Sequence, residues 1–315
     1  MTLDDFLREW HDPSDCLPVH TSGSTGPPKL LWAEKRRMEA SARITCRFLG
    51  LQAGDTALLC LPLDYIAGKM MVVRAVTCGL RLVSVEPSGH PLRDLAEPPC
   101  FAAMVPLQVC NALQVPAERE RLRAIRHLII GGGAVDDDLA RELRDFPNAV
   151  WSTYGMTETL SHIALRRLSG AAADDCYTPF DGVGVSLSPD GCLVIDAPQV
   201  CAERLVTNDL AEIDHRGRFR ILGRKDNMIC SGGMKIQIEE VERCLRRHTD
   251  QPFIIAKCKD KKFGEAMVLL TESHDIEMFR QLCRSCLPKF WQPRRIQTVD
   301  RLPMTETGKP VRVLR

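Results

Sequence analysis

The feature that most constrains the fold is an alternation of short apolar runs with helical segments in the first half of the chain. Apolar strand candidates occupy residues 56–61, 80–85, 101–105 and 127–130, while residues 33–49 and 66–76 have helical spacing. Short strands that alternate with helices are typical of an α/β domain with a mostly parallel sheet. The sequence therefore predicts a large N-terminal α/β domain, preceded by a short lead-in over residues 1–20.

The pattern changes after about residue 180. Short strands with turns between them (182–196 and 218–222) precede a charged stretch around Asp226. Helical segments (238–247, 276–286) and strands (253–257, 266–270) follow in a small α+β pattern. A chain of 315 residues is long enough for about two domains. We therefore expect residues 1–222 to form the N-terminal domain and residues 223–315 a small mobile C-terminal domain.

Composition excludes several classes of partner. The chain has 42 basic and 41 acidic residues, a net charge of +1, so it has no strong field to hold nucleic acid. It has no signal-peptide core and no apolar run long enough to cross a membrane. Its 14 cysteines are scattered, which favours reduced thiols. These observations predict a cytoplasmic protein without membrane insertion.

A stretch rich in hydroxyl groups and glycine lies near the start of the chain. Glycine lets backbone approach a ligand closely, hydroxyls and amides can surround phosphate oxygens, and a terminal lysine adds charge. No Gly-Lys-Ser/Thr closes the stretch, so it is not a Walker A loop. The alternative is a flexible linker. The residues concerned are Thr21, Ser22, Gly23, Ser24, Thr25, Gly26 and Lys29.

Two further motifs carry acidic side chains. Thr157 and Glu158 follow a strand-like segment, and a glutamate there could hold Mg²⁺, which prefers oxygen ligands. Alone, such a motif is more often a turn or a helix cap. Asp209 in a loop could accept hydrogen bonds from a ribose diol, although a lone aspartate is most often a turn former.

The end of the chain contains candidates for movement. Charged residues next to glycines around Asp226 suit an interdomain hinge, and the alternative is a β-turn. Lys309 follows a glycine on a late loop and could be delivered to a reacting anion and then withdrawn. The alternative for Lys309 is a frayed basic tail.

Together and in this order, the motifs resemble those of the adenylate-forming superfamily of acyl-CoA synthetases, luciferases and peptide-synthetase adenylation domains. The resemblance covers residues 21–312 and implies a phosphate loop over residues 21–29. It also implies ATP, Mg²⁺ and coenzyme A as the bound groups. It assigns Gly131 and Gly132 to the adenine side, Tyr154, Gly155, Thr157 and Glu158 to the adenylate and magnesium motif, Asp209 and Arg224 to the ribose, Asp226 to the hinge, and Lys309 to adenylation.

The implied reaction has two steps at one site. ATP first activates a carboxylic acid as an acyl-adenylate, with release of pyrophosphate. The C-terminal domain then turns about Asp226 and brings Ser231, Gly232 and Gly233 toward the site, and coenzyme A displaces AMP.

A narrower resemblance concerns residues 61–75, with support from residues 161–166. These segments resemble the o-succinylbenzoate–CoA ligases of menaquinone biosynthesis. Lys69 and Arg74 lie in an apolar run, where charges are costly unless they reach solvent or pair. One of them could neutralise a second carboxylate of the acid. Tyr65, in place of a histidine common in relatives, and His162 complete the expected acid-binding residues.

Some features depart from the superfamily. Only about 20 residues precede the glycine-rich stretch, so part of the usual sheet is expected to be missing or reorganised. The alternatives are a ligase for another aryl or acyl acid, a non-catalytic regulator that binds a nucleotide or acyl-CoA, and a domain that loads a carrier protein. The expected partners are the small-molecule acid, ATP and CoA, and a homodimer is possible.

Overall fold

The computed structural model describes residues 1–20, 30–305 and 310–314. The chain divides into two compact units, and each is described by itself. The first comprises Met1–Ser186, Ile195–Leu205 and Ile213–Arg220. The second comprises Leu187–Val194, Val206–Glu212 and Ile221–Arg315.

The first unit is built on a seven-stranded sheet. Its strand order is β4-β3-β5-β6-β7-β8-β9, in which β4 to β7 run parallel and β8 and β9 are antiparallel. This confirms the predicted α/β class with a mostly parallel sheet. The strands are β3 (Thr56–Leu59), β4 (Arg81–Ser84), β5 (Phe101–Met104), β6 (His127–Ile130), β7 (Ala149–Gly155), β8 (His162–Arg167) and β9 (Thr178–Pro179), and a separate ribbon contains β1 (Cys16–His20) and β2 (Leu30–Glu34).

Residues 1–20 are more regular than a lead-in. A helix starts after Thr2, whose side chain and that of Asp5 form a capping box, and it buries Phe6 and Trp10. The expected helix over 33–49 begins at Lys35, because β2 extends to Glu34. The helices of this unit are α1 (Leu3–His11), α2 (Lys35–Leu49), α3 (Ile66–Cys78), α4 (Pro106–Gln114), α5 (Pro116–Ala124) and α6 (Asp137–Leu143).

The core explains why the apolar runs are continuous rather than alternating. Strand β5 is buried at every residue, as expected for a central strand of a parallel sheet. Helix α3 buries all positions from 68 to 75, including the two charged side chains of Lys69 and Arg74. The β1–β2 ribbon pairs His20 with Leu30, so the residues on either side of 21–29 lie next to each other.

A four-stranded sheet follows in the chain. Its strand order is β10-β11-β12-β13, the order of the sequence. The strands are β10 (Gly184–Leu187), β11 (Cys192–Asp196), β12 (Leu205–Ile213) and β13 (Phe219–Arg224).

The C-terminal part of the second unit is an α+β arrangement. Its sheet has the order β15-β14-β17-β16, and β18 pairs in parallel with β17. Helices α7 and α8 contribute Val241 and Phe279 to the same apolar cluster as Ile255 and Leu269 of the sheet. The elements are β14 (Met228–Ser231), β15 (Met234–Gln237), α7 (Ile238–Arg246), β16 (Phe253–Asp260), β17 (Gly264–Thr271), α8 (Ile276–Cys286) and β18 (Arg295–Thr298). Among the described helices, none has the length and apolar character needed to span a membrane.

Candidate active site

The predicted glycine loop and the tyrosine motif lie at the same edge of the first unit's sheet. Gly131 and Gly132 directly follow β6, and Tyr154 and Gly155 end β7, its parallel neighbour. In open α/β sheets, ligands bind beyond the carboxyl ends of parallel strands. The fold thus brings these residues together where a ligand is expected.

A short turn follows β7 and carries the predicted acidic residue. Thr157–Thr159 form one turn of 3₁₀-helix, and the Thr159 hydroxyl lies 3.0 Å from the Met156 carbonyl and 2.7 Å from the Ser161 carbonyl. Leu160 adopts φ 63°, a conformation that costs a non-glycine residue of order 1–3 kcal/mol. Such strain persists only where the surrounding structure fixes it, and nothing in the sequence marks this leucine.

Gly155 is required by a close crossing of the backbone. A Cβ atom there would lie 2.3 Å from the carbonyl oxygen of Ser161 and 2.5 Å from Cα of His162. Any side chain at this position would therefore push residues 161 and 162 away from the end of β7.

The turn provides one exposed carboxylate, that of Glu158. In the described ranges 1–20, 30–305 and 310–314, no group of three or more His, Cys, Asp or Glu side chains could hold a metal ion. Mg²⁺ is commonly held through one or two carboxylates together with substrate phosphates and water. A single carboxylate at this edge fits that mode of binding and does not fit an all-protein cage.

Aromatic side chains fix the ring of Tyr154. Its centroid lies 5.1 Å from that of Phe219 and 5.8 Å from that of Tyr177. The Tyr177 hydroxyl is 2.9 Å from Oγ of Ser152 on β7. Tyr154 is therefore packed in one orientation beside the glycine loop's strand.

Arg74 is the most unusual charged residue of this unit. It is fully buried on α3; its Nη2 donates to Oγ of Ser161 over 2.6 Å, and its Nη1 lies 3.7 Å from Sδ of Met71. Among the described residues, its Nε–H has no hydrogen-bond partner and no carboxylate forms a salt bridge with it. Burial lowers the pKa of its guanidinium to about 10, which leaves it charged near neutral pH. A buried guanidinium with an unpaired donor and no carboxylate beside it would be stabilised by a bound anion.

His162 lies next to this guanidinium and is also buried. Its Nδ1 is 3.2 Å from Oγ of Ser161, and its Nε2 is 3.1 Å from Oγ1 of Thr45 on α2. Burial, and secondarily the charge of Arg74, lower its pKa well below 6.5. The imidazole is therefore neutral at physiological pH. Ser161 and Thr45 were not among the predicted site residues, because isolated hydroxyl side chains give no signal in a single sequence.

Lys69 faces a different part of the unit from Arg74. Its Nζ donates to the Pro18 carbonyl over 3.1 Å and lies 5.7 Å from the ring centroid of Phe6. Burial lowers the pKa of its ammonium group. Tyr65, just before α3, is 40% exposed and forms a bridge with His20. Lys69 therefore contacts α1 and β1. Arg74 instead contacts Ser161, the residue just before β8.

Three predicted residues of the second unit form one charged cluster. Nη1 of Arg224 donates to Asp209 over 3.1 Å, and its Nη2 donates to Asp226 over 2.7 Å. The pair predicted for ribose binding is thus linked to the predicted hinge residue through one guanidinium.

Ser231, Gly232 and Gly233 lie in the hairpin between β14 and β15. The two glycines have φ values of 58° and 85°, as a two-residue type I′ turn requires. The predicted loop is therefore a tight turn at the tip of a ribbon.

Two predicted elements lie outside the described residues. They are the phosphate loop, with Thr21, Ser22, Gly23, Ser24, Thr25, Gly26 and Lys29, and the adenylation lysine, Lys309. The neighbours of Lys309 are described: Met304 pairs with Pro310, and the Lys257 amide donates to the Arg312 carbonyl over 2.8 Å. Residues on either side of 306–309 therefore lie close together beside β16.

The fold is that of adenylate-forming enzymes, and the chain belongs to the AMP-binding enzyme family, whose model matches residues 6–203. Among curated relatives, the 2-succinylbenzoate–CoA ligase of Salmonella typhimurium is 29% identical over 302 residues. That alignment covers 89% of this chain and 63% of the relative, so the chain spans less than two thirds of that relative's length.

Similar solved structures support the assignment to this family. An acyl-CoA synthetase (AMP-forming)/AMP-acid ligase II-like protein from Dyadobacter fermentans is 33% identical with a TM-score of 0.67, covering 97% of this chain and 90% of that one. O-succinylbenzoate coenzyme A synthetase (MenE) from Bacillus subtilis, solved with ATP and a magnesium ion, has a TM-score of 0.77. It is 24% identical, covers 94% of this chain and 68% of that one, and shows likeness of fold.

Proposed function

We propose that the chain is an ATP-dependent, AMP-forming acid–CoA ligase whose acid is o-succinylbenzoate. The observation that carries the choice of acid is the buried Arg74 guanidinium. It has no carboxylate partner among residues 1–20, 30–305 and 310–314, yet it reaches Ser161 at the ligand edge of the sheet. An acid with a second carboxylate would supply the missing anion. The name of the Salmonella relative supports the same acid.

In the first half-reaction, a carboxylate oxygen of the acid attacks the α-phosphorus of ATP and pyrophosphate leaves. The substrate is the nucleophile, so the protein's work is positioning and neutralisation of charge. Lys309 would stabilise the charge at the α-phosphate, and Lys29 with the glycine-rich stretch would hold the outer phosphates. Gly131, Gly132 and Tyr154 would contact the adenine side, and Asp209 with Arg224 the ribose.

Glu158 would hold Mg²⁺, with Thr157 beside it in the turn after β7. When bound, this ion neutralises and polarises phosphate oxygens. Gly155 would keep residues 161 and 162 against the end of β7, because a side chain there would collide with them.

In the second half-reaction, the thiolate of coenzyme A attacks the acyl carbon, and AMP leaves as the thioester forms. We propose that residues 223–315 turn about Asp226 relative to residues 1–222 between the two steps. This movement would withdraw Lys309 and bring the Ser231–Gly233 turn toward the acid. The small-molecule partners are then the acid, ATP and CoA.

The acid-binding residues divide into two kinds. Arg74 would pair with the carboxylate that is not activated, and His162 would support it through Ser161. Tyr65 and Lys69 were predicted for the same task. Because the Lys69 ammonium donates to Pro18, its contacts favour a role in holding β1.

Acid-dependent exchange of pyrophosphate into ATP tests the proposal. We expect wild-type protein to catalyse exchange with o-succinylbenzoate and Mg²⁺, and Lys309→Ala to lose it while ATP still binds. Lys289→Ala, an exposed lysine of the second unit, is the matched control and should retain exchange. Binding of ATP by wild type without any exchange would instead indicate a non-catalytic regulator and overturn the proposal.

A further inference from the structure

A continuous chain of hydrogen bonds connects α2 to the buried guanidinium. Arg74 Nη2 lies 2.6 Å from Ser161 Oγ, which lies 3.2 Å from His162 Nδ1. On its other side, the imidazole Nε2 lies 3.1 Å from Thr45 Oγ1, and that hydroxyl lies 3.1 Å from the Ser41 carbonyl. All of these groups belong to the first unit: they lie on α2, on α3, and at the residue before β8 and the first residue of β8.

The two ends of this chain of hydrogen bonds determine which group donates and which accepts at every step. At one end, the Ser41 carbonyl can only accept, so the Thr45 hydroxyl donates to it and its oxygen accepts from His162 Nε2–H. At the other end, Arg74 can only donate, so Ser161 Oγ accepts from it. Ser161 then donates its own hydrogen to the lone pair of His162 Nδ1.

The opposite tautomer makes fewer hydrogen bonds. With the proton on Nδ1, Ser161 Oγ would accept from both Arg74 and His162, and its hydroxyl hydrogen would have no acceptor in the chain. Thr45 would also have to donate to Nε2 and abandon the Ser41 carbonyl. Only the neutral imidazole with its proton on Nε2 satisfies all four contacts.

We propose that Thr45 is a positioning residue for acid selection: through His162 and Ser161 it holds the Arg74 guanidinium in place for the second carboxylate of the acid. This inference rests on the proposed ligase function. Neither Thr45 nor His162 forms a hydrogen bond with the guanidinium, so their hydrogen bonds reach it through Ser161.

The chain of hydrogen bonds also determines which donors remain for the ligand. Because the Ser161 hydrogen is committed to His162, the donors left for a carboxylate are N–H groups of Arg74. Among them is the buried Nε–H, which has no partner in the described ranges. A planar carboxylate matches a guanidinium fork, and a neutral hydroxyl or ester does not replace it. The diacid of the proposed function would then be activated at one carboxylate and held by Arg74 at the other.

Substitution of Thr45 tests the inference. Thr45→Val keeps the shape of the side chain and removes the acceptor for Nε2–H. We expect the KM for o-succinylbenzoate to rise about five- to tenfold with little change in kcat. The KM for the monoacid that lacks the unactivated carboxylate should not change. Thr45→Ser retains the hydroxyl, so its KM for o-succinylbenzoate should equal that of wild type.

Thr77→Val is the matched control. Thr77 lies on α3, and its hydroxyl is buried without a hydrogen-bond partner in the described part of the chain. Its replacement should leave both KM values at the wild-type level. If Thr45→Val leaves the ratio of the two KM values unchanged, or if Thr45→Ser fails to restore it, the inference is wrong.

A second readout does not need activity. Imidazole ¹⁵N resonances of the wild-type protein, assigned by loss of one signal in His162→Gln, report which nitrogen carries the proton. We expect the proton on Nε2 in wild type, and an Nδ1–H tautomer or a mixture in Thr45→Val. An Nδ1–H imidazole in wild type would contradict the proposed chain of hydrogen bonds even if the ligase reaction proceeds. Absence of acid-dependent exchange in wild type would instead contradict the proposed function and leave the tautomer result to stand alone.

Discussion

Arg74 of the first unit is buried and Arg312 of the second is half-buried, and the two guanidinium groups differ in their partners. In the second unit, Arg312 makes a two-pronged ion pair with Glu242, with contacts of 2.6 and 2.8 Å. In the first unit, Arg74 is more deeply buried and donates only to a hydroxyl and a thioether. One cation has its counterion in the fold, and for the other the described residues supply none.

The pKa values of the two groups follow from this difference. Burial opposes the charge of Arg312, but its hydrogen bond to Glu242 and the charge of that carboxylate outweigh burial and raise its pKa. For Arg74, burial dominates and lowers the pKa to about 10. Arg312 thus neutralises the Glu242 carboxylate within its unit, whereas Arg74 is kept charged at a cost that a bound anion would offset.

The largest expected effect is on stability in the second unit. Arg312→Met should lower the free energy of unfolding by about 3–5 kcal/mol, because it leaves the buried Glu242 carboxylate without its partner. Chemical denaturation followed by fluorescence measures the loss. The double variant Arg312→Met/Glu242→Gln should recover part of it. A loss below about 1 kcal/mol in the single variant would show that the pair is not structural.

The next effect concerns selectivity in the first unit. Arg74→Met should raise the KM for o-succinylbenzoate about 10- to 100-fold, since a hydrogen-bonded charge pair contributes about 1.5–3 kcal/mol. Steady-state kinetics with the matching monoacid should show no such change. Stability should not fall, because an apolar side chain replaces a buried charge without a counterion. Equal losses for both acids would contradict a role in recognition.

The stability of the first unit should depend on pH through the buried His162. The folded state lowers the pKa of His162 below 6.5, so the unfolded chain binds a proton first as pH falls. Stability should therefore decrease below pH 6.5, by about 1.4 kcal/mol per pH unit from this group until its folded pKa is reached. Denaturation curves from pH 7 down to pH 5 for wild type and His162→Gln measure the contribution of His162 to the free energy of unfolding. Identical slopes in the two proteins would mean that His162 titrates normally.

The smallest expected effect is that of Lys69→Met. The ammonium group donates to a backbone carbonyl, and its removal also relieves the cost of burying a charge. We expect stability to stay within about 1 kcal/mol of wild type and the ratio of diacid to monoacid KM to remain unchanged. A selective rise in the diacid KM would mean that Lys69, like Arg74, takes part in recognition of the acid, and would contradict the different roles assigned to them.

Much of the fold could be predicted because local signals agree with tertiary packing. The helix Ile276–Cys286 has the predicted bounds, since Asp275 caps it and its apolar positions repeat at helical spacing. Strand β6 also matches, as a short apolar run just before glycines. By contrast, α1 was missed as an element although Thr2 and Asp5 form its capping box, because nine residues near a terminus give a short window.

The candidate site could be predicted by position and only partly by contact. The apolar run of α3 shows that Lys69 and Arg74 are costly, but it does not show which one meets β1 and which one meets Ser161. That distinction comes from packing between elements far apart in sequence. The role of Thr45 and the strained backbone of Leu160 have no local signature, since threonine and leucine are ordinary residues in a helix and a turn.

The most direct measurement is a competition between acids in one reaction. Wild-type protein is incubated with ATP, Mg²⁺ and CoA together with equal amounts of o-succinylbenzoate and the monoacid that lacks its unactivated carboxylate, and the thioesters are identified by mass. We predict o-succinylbenzoyl-CoA as the dominant product, at least about tenfold over the other thioester, and loss of this preference in Arg74→Met. Equal amounts of the two thioesters from wild type, or no thioester at all, would contradict the assignment of Arg74 and of the reaction.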